Sequence, residues 1–272
     1  MPAKGARQVS IEAPRPQERP VDPAIALSGV GKRFDTRRGE VTALRELTLE
    51  ARQGETLGVV GPSGCGKSTL LELVCGLQDP TSGALAVGGA TAAADRLHSC
   101  ALMPQRDLLL PWRSALDNAG LALELRNVGR AEARRRALAL FERFGLEEFA
   151  RARPDELSGG MRQRVSFART LLAEKPVLLL DEPFGSLDSI TRAELQEWLT
   201  DALAAEPRTT LLVTHDVEEA LFLCDRVLIL SPRPGTVRTE IRVELDRSRP
   251  RREQVTSADF GALREQALEA LA

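Results

Sequence analysis

The chain has 272 residues, 43% hydrophobic and 28% charged, with 37 Lys and Arg against 39 Asp and Glu for a formal net charge of -2. That balance fits a globular protein able to bury a sizeable core, and it lacks the basic excess that a long contact with nucleic acid or anionic lipid needs. Four cysteines without a Cys-x-x-Cys pair, and only two histidines, argue against a structural metal site and for a reduced chain with free thiols.

Residues 1–23 are rich in Pro, Arg and Gln and lack the apolar core of a secretory signal, so they read as a disordered lead-in. No apolar run approaches the roughly 18 to 20 residues needed to cross a bilayer, so any membrane connection is expected to come through other chains. From residue 24 the segments AIALSGV, VTALRELTLEA, ETLGVV, ALAVGG and HSCALM are strand-like and punctuated by glycines. They predict a β-rich N-terminal region with a mixed sheet, feeding a helix at Lys67. Residues 113–151 change to apolar residues at three-and-four spacing with Arg and Glu between them, which predicts an insert of amphipathic helices within about 106–156. Helix 159–173, strand 177–180, helix 190–204, strand 210–214, helix 217–223 and strand 226–230 then alternate as in a parallel α/β sheet. One further strand closes a domain spanning 24–246, and 247–272 reads as a charged linker and a short helix. There is no internal repeat, so a single nucleotide-binding unit is expected.

The strand ETLGVV leads into Gly61-Pro62-Ser63-Gly64-Cys65-Gly66-Lys67-Ser68, and a helical pattern continues from Thr69. This is G-x-x-x-x-G-K-[ST] in its strand-loop-helix setting. Glycines let the backbone wrap close to phosphate and aim its N–H groups inward, and the helix N-terminus adds its dipole. Gly61 to Thr69 therefore form the candidate nucleotide site, with Lys67 supplying charge to the β and γ phosphates. Ser68 offers a hydroxyl to Mg²⁺, a cation that prefers hard oxygen ligands. The buried run at 177–180 ends in Asp181-Glu182, at the strand end where open α/β sheets bind ligands. Asp181 is expected to hold Mg²⁺ through water, and Glu182 to take a proton from an attacking water.

Between these sites lies Leu157-Ser158-Gly159-Gly160, followed by the basic Met161-Arg162-Gln163-Arg164. This resembles the signature of the ATP-binding-cassette (ABC) ATPases, and the resemblance runs from about Ala24 to Leu245 with all motifs in family order. It implies an α/β fold: a P-loop NTPase core with a mixed N-terminal β region and an α-helical subdomain insert, using ATP and Mg²⁺. Gln105 in ALMPQ resembles the family's Q-loop glutamine, which senses Mg²⁺ and the attacking water; the alternative is an ordinary loop amide. Ser186-Leu187-Asp188 resembles the D-loop, adding Asp188 to the nucleotide site. His215 in TLLVTHD resembles the switch histidine that touches the γ-phosphate, or else caps a helix start. Ser158, Gly159 and Gly160 at a helix N-terminus would make a second anion site. In the family that site closes on nucleotide held by the opposite subunit, so the resemblance implies a homodimer. The family usually stacks adenine on a tyrosine, and this chain has none. Phe34, in GVGKRFD, stands in the matching place; a phenylalanine offers the π face that stacking needs, or it is a core aromatic.

Leu108-Leu109-Leu110-Pro111-Trp112-Arg113, with PFGSLDSITR and THDVEEALFLCDRVLILSPRPG, resembles the importer branch serving nitrate, sulfonates, taurine and some thiamine precursors. It implies transmembrane permease subunits as partners, a periplasmic or extracellular solute-binding protein acting indirectly, no nucleic acid, and a peripheral place on the cytoplasmic face of the membrane. Leu108 to Trp112 would either help form the groove that receives a permease helix or pack the helical insert. An exporter cassette is the alternative reading. A twin-cassette protein would need a second phosphate loop or a long coiled-coil insertion, and a P-loop kinase or switch GTPase would carry other elements in place of Leu157 to Gly160.

Overall fold

The computed structural model describes residues 22–37, 39–185, 187–205 and 207–272. Most of the expected lead-in, and Ser186 of the D-loop segment, lie outside the described residues. In chain order the first half contains β1 (Ile25–Thr36), β2 (Gly39–Ala51), β3 (Thr56–Val60), α1 (Lys67–Cys75), β4 (Ser82–Val87), α2 (Ala93–Ser99) and β5 (Cys100–Met103). The helices α3 (Ala115–Ala119), α4 (Leu121–Glu124), α5 (Arg130–Phe144) and α6 (Gly159–Leu171) follow. The remainder alternates as β6 (Val177–Asp181), α7 (Ser189–Ala205), β7 (Thr209–Thr214), α8 (Val217–Leu223), β8 (Arg226–Leu230) and β9 (Val237–Arg242), ending in α9 (Arg251–Val255) and α10 (Ala258–Leu271).

The N-terminal strands divide between two sheets. β1 pairs antiparallel with β2 and β4 in the order β2-β1-β4, while β3 and β5 join the order β5-β6-β7-β3-β8-β9. The larger sheet is parallel from β5 to β8, and β9 is antiparallel to β8. Every residue of β3 and β6 is buried, as expected of central parallel strands covered on both faces.

Period-two alternation splits the apolar side chains of these strands between two cores. Val177 and Leu179 of β6, Leu211 and Val213 of β7, and Leu228 and Leu230 of β8 meet α1 and the antiparallel sheet. Leu180, Leu212, Val227 and Ile229 point the other way, into a core shared with α5, α6, α8 and α10. In the helical region Ala115, Ala119, Ala133 and Ala137 let the helices approach closely around Leu123, Phe141 and Phe144, all fully or almost fully buried. A buried Leu or Phe contributes roughly 1.5–3 kcal/mol relative to an exposed one.

Two local expectations change. The strand read over 98–103 begins only at Cys100, because His98 Nδ1 lies 2.9 Å from Ala94 O and Ser99 Oγ donates to Asp95 O, closing the last turn of α2. Pairing with β6 starts at Cys100, opposite Val177. The charged linker after residue 246 contains α9, whose Arg251 stands 5.2 Å from the Phe222 ring centroid and donates to Gln196 Oε1. Among the described residues no helix is long and apolar enough to cross a membrane.

Candidate functional site

The sheet order gathers the site. Gly61 follows the last residue of β3, Glu182 that of β6 and His215 that of β7, while Gln105 lies two residues beyond β5. Four loops from parallel strands thus emerge at one edge of the sheet, where ligands bind in open α/β folds.

Gly61 to Ser68 wrap the N-terminus of α1. Gly66 has φ 110°, and a Cβ there would lie 2.7 Å from Leu44 Cδ2, so only glycine fits between the loop and β2. Lys67 is buried, and its Nζ donates to Gly61 O (2.7 Å) and Pro62 O (3.1 Å), which fastens the ammonium inside the loop. Cys65 is 1% exposed and packs beneath the loop; burial pushes its thiol pKa up, against the opposing charge of Lys67. Burial also pushes the thiol of Cys75 up to about 11 and that of Cys100 up to about 12, so these behave as small apolar core groups.

Asp181 is 8% exposed. Burial raises its carboxyl pKa, a hydrogen bond from Ser68 opposes that, and the neighbouring Glu182 charge adds to the rise. A desolvated carboxylate bonded to a hydroxyl gains most when a hard cation neutralises it, so Asp181 and Ser68 fit Mg²⁺. Among the described residues there is no cluster of three His, Cys, Asp or Glu that could cage a metal by itself. That donor set suits an ion that completes its shell with water and phosphate oxygens.

Glu182 occupies a left-handed backbone position (φ 48°), uncommon for a residue with a side chain, and its N–H donates to Val213 O at 2.8 Å. The extra bond extends the β6–β7 ladder by one residue and turns the Glu182 side chain out of the sheet. Both carboxylate oxygens are held: Oε2 accepts from Gln105 Nε2 at 2.9 Å, and Oε1 lies 3.2 Å from His215 Nδ1. A carboxylate only accepts when ionised, so this contact places the imidazole proton on Nδ1. Gln163 reinforces the turn from α6, its buried Nε2 donating to Pro183 O at 3.1 Å.

A cleft of about 310 Å³ runs from Lys67, Ser68 and Thr69, past Gln105 and Glu182, along Ser63, Gly64 and Gly66 to Phe34, Val41 and Ala43. Phe34 is half-buried and stands outside both apolar cores; Lys32 Nζ lies over its ring at 5.1 Å. Phe34, Ser63, Gly64, Gly66, Lys67, Ser68, Thr69, Gln105 and Glu182, half of the residues expected at the site, therefore share one cleft, while Gly61, Pro62, Cys65, Asp181 and His215 stand behind or beside it.

Ser158, Gly159, Gly160 and Asp188 do not line that cleft. Ser158 caps α6, its Oγ accepting from Met161 N at 3.2 Å, which leaves the Gly159 and Gly160 amides as first-turn donors with no partner among the described residues. Gly159 faces a second cleft of about 350 Å³ together with Gln105, Asp107 and Arg162. Asp188 Oδ1 accepts from Ile190 N and Thr191 N at the start of α7.

Sequence reasoning missed three arginines near the site. Arg162 Nε donates to Asp107 Oδ2 (3.0 Å), and Arg169 forks onto Asp107 O (2.6 Å) and Leu108 O (2.9 Å), tying the loop after Gln105 to α6. Arg233, on the loop between β8 and β9, lines the cleft that holds Lys67 and Glu182. The basic run after Gly160 was the only visible sign of the first; the other two are brought in by tertiary structure.

Backbone amides wrapped for an anion, beside a carboxylate restrained on both oxygens, are the working parts of a nucleoside triphosphatase. The family model described as ABC transporter matches residues 44–185. The nitrate import ATP-binding protein NrtD of Synechococcus elongatus is 43% identical over 248 residues, covering 89% of each chain. The aliphatic sulfonates import ATP-binding protein SsuB 1 of Rhodococcus jostii is 44% identical, covering 91% of this chain and 93% of that protein. The taurine import ATP-binding protein TauB of Burkholderia pseudomallei is 44% identical over 75% of this chain and 78% of that protein. Among solved structures, the dimeric post-hydrolysis state of the ATP-binding cassette MJ0796, bound to ADP and Pi, superposes with a TM-score of 0.75 at 30% identity. It covers 81% of this chain and 99% of that one. The chain belongs to the ABC transporter family of ATP-binding subunits.

Proposed function

We propose that this chain is the MgATP-hydrolysing subunit of an importer for a small solute of the nitrate, sulfonate or taurine kind, or a related small organic compound. The observation that carries the enzymatic half is the Glu182 carboxylate, buttressed by Gln105 and His215 at the edge of the phosphate loop. The import half rests on relatives, each named for import, that are 43–44% identical.

In this reading the loop amides and Lys67 hold the β and γ phosphates, and Phe34 receives adenine on its ring. Ser68, Asp181 and Gln105 would hold Mg²⁺, directly or through water; when bound, that ion neutralises charge developing on the transferred phosphoryl group. Glu182 orients the attacking water and takes its proton, and His215, held through Nδ1, reaches toward the γ-phosphate. The Ser158 to Gly160 amides and Asp188, turned away from their own chain's cleft, serve the nucleotide of a second copy. Two chains then enclose two nucleotides, as the dimeric relative encourages.

Exposed Leu108 and Trp112 (60% and 71% exposed) leave an apolar surface on the helical region, whereas Leu109 turns inward. That surface suits a helix of a transmembrane permease subunit. The chain would sit peripherally on the cytoplasmic face, with a solute-binding protein delivering cargo on the other side. The test is uptake by proteoliposomes carrying the chain and its permease subunits, with nitrate, a short alkanesulfonate and taurine as separate substrates. ATP-dependent uptake of one of them, lost with Lys67→Ala, is expected. Uptake of none, in vesicles that hydrolyse ATP, would refute the solute class.

A further inference from the structure

The loop joining β8 to β9, Ser231-Pro232-Arg233-Pro234-Gly235, is braced against the phosphate loop more firmly than a surface turn requires. Ser231 is its hub: its N–H donates to Thr236 O (2.9 Å), its Oγ donates to Pro234 O (3.0 Å), and Thr236 N donates back to Ser231 Oγ (3.0 Å). Gly235 ties the loop to β2, donating to Ala43 O (2.9 Å) and accepting from Arg45 N (3.1 Å). A side chain at Gly235 would collide with the Cys65 carbonyl, so the loop lies directly on the phosphate loop. Prolines on both sides of Arg233 restrict the backbone further.

Arg233 is displayed from this rigid support. Its side chain is exposed, lines the cleft, and makes no hydrogen bond or ion pair among the described residues. The braces tie its loop to the strand that forms the apolar end of the cleft. Gly235 is bonded to Ala43, and Val41, two residues earlier on the same strand, is the ladder partner of Phe34. Arg233 shares the cleft with all three. Lys67, the cation of the phosphate end, is buried and committed to Gly61 and Pro62. A guanidinium is planar and weakly hydrated, and it stacks on aromatic faces, which suits it to a base more than to a phosphate chain already wrapped by backbone amides.

We propose that Arg233 contacts the nucleobase, its guanidinium lying on the purine that Phe34 also touches, so that the base is held between an aromatic ring and a cationic plane. The inference rests on the assignment of this cleft to MgATP. It makes Arg233 a determinant of purine affinity that leaves the phosphates untouched.

Isothermal titration calorimetry on the full chain tests this, with MgATP, MgCTP and magnesium tripolyphosphate titrated separately into the parent, Arg233→Ala and Arg233→Lys. Stacking of this kind predicts a roughly five- to tenfold weaker MgATP affinity for Arg233→Ala. It also predicts a smaller loss for MgCTP, unchanged tripolyphosphate affinity, and little recovery in Arg233→Lys, which keeps the charge and loses the plane. Equal losses for MgATP and tripolyphosphate would overturn the inference by making Arg233 a phosphate ligand, and unchanged MgATP affinity would overturn it outright. A parent that binds tripolyphosphate but gains nothing from the base would also overturn it. A parent that binds none of the three would instead sink the assignment of the cleft to MgATP. Thermal melts of both variants should match the parent, because the exposed guanidinium has no partner to lose.

Discussion

Gln105 Nε2 donates to Glu182 Oε2 across 2.9 Å, joining the loop beyond β5 to the end of β6 through the very carboxylate that faces the phosphate loop. With His215 on the other oxygen, the carboxylate cannot rotate without losing a partner. Restraint of this kind would keep Glu182, the proposed base, in position before its substrate arrives.

Glu182→Gln should therefore lower the rate of phosphate release by about 10² to 10⁴-fold while leaving MgATP affinity near the parent value, since the phosphate-binding amides are intact. Gln105→Ala, which frees one carboxylate oxygen, should lower kcat with a smaller effect. Steady-state phosphate release from the chain assembled with its permease measures both.

Arg169 makes a second restraint one layer back. Leu108 has φ 45°, a costly conformation for a leucine, and its carbonyl and that of Asp107 are both caught by the Arg169 guanidinium. Arg169→Ala should cost roughly 1.5–3 kcal/mol of stability, the range for hydrogen bonds from a charged group. It should also lower kcat more than MgATP affinity, because the loosened loop carries Gln105. Arg169→Lys should restore little, since it lacks the planar fork whose two separate nitrogens reach Leu108 O and Asp107 O. Chemical denaturation and ATPase kinetics on the same preparations separate the two effects.

Asp117 holds the helical region together. It is buried, Arg134 binds both its oxygens (2.7 and 2.9 Å), and Arg130 adds a third bond at 2.8 Å. The Arg134 hydrogen bonds, helped by Arg130, hold its carboxyl well below the ordinary value of 3.8. A depressed folded pKa means stability that is fully present above the ordinary value and lost as pH falls through the folded one. Asp117→Asn should cost about 2 kcal/mol at pH 7, and the difference from the parent should shrink as the pH is lowered below 4. Urea titrations across that range measure it.

Glu219, on α8 four residues after His215, has the opposite sign. Burial, then the charge of Asp216, pushes its carboxyl from the ordinary 4.5 up to about 7. Gln196 Nε2 donates to its Oε2 across a long 3.5 Å, and its Oε1 has no hydrogen-bond partner among the described residues. A raised carboxyl pKa costs folding stability as pH rises from 4.5 toward 7, with the full cost above 7. Glu219→Gln should thus be more stable than the parent at pH 8, by on the order of 2 kcal/mol, and close to it at pH 4.5. Thermal melts at the two pH values decide it.

Much of this was legible in the sequence because its determinants are local. The strand-loop-helix around Lys67 and the buried run ending at Asp181 carry their chemistry within a few residues, and the helices at 159, 190 and 217 show their period in the chain. What escaped was non-local. Nothing near Arg233 in the chain says that β9 folds back beside β8 and sets the intervening loop on the phosphate loop. Nothing near Arg169 says that its guanidinium reaches back 62 residues to Asp107. His98 and Ser99 read as strand because their neighbours are apolar, while side-chain bonds to carbonyls four residues earlier keep them in α2. Phe34 could be placed by motif, but its half-burial outside both cores depends on where β1 lies against β2.

The central claim is a composite site in which one chain's phosphate loop faces the Ser158 to Gly160 amides of another. Light scattering coupled to size-exclusion chromatography on Glu182→Gln tests it most directly, run without nucleotide and with MgATP at a concentration shown by calorimetry to saturate the site. The account predicts the 29.6 kDa chain mass without nucleotide and twice that mass with MgATP. A nucleotide-saturated protein that still elutes at the mass of one chain would contradict it.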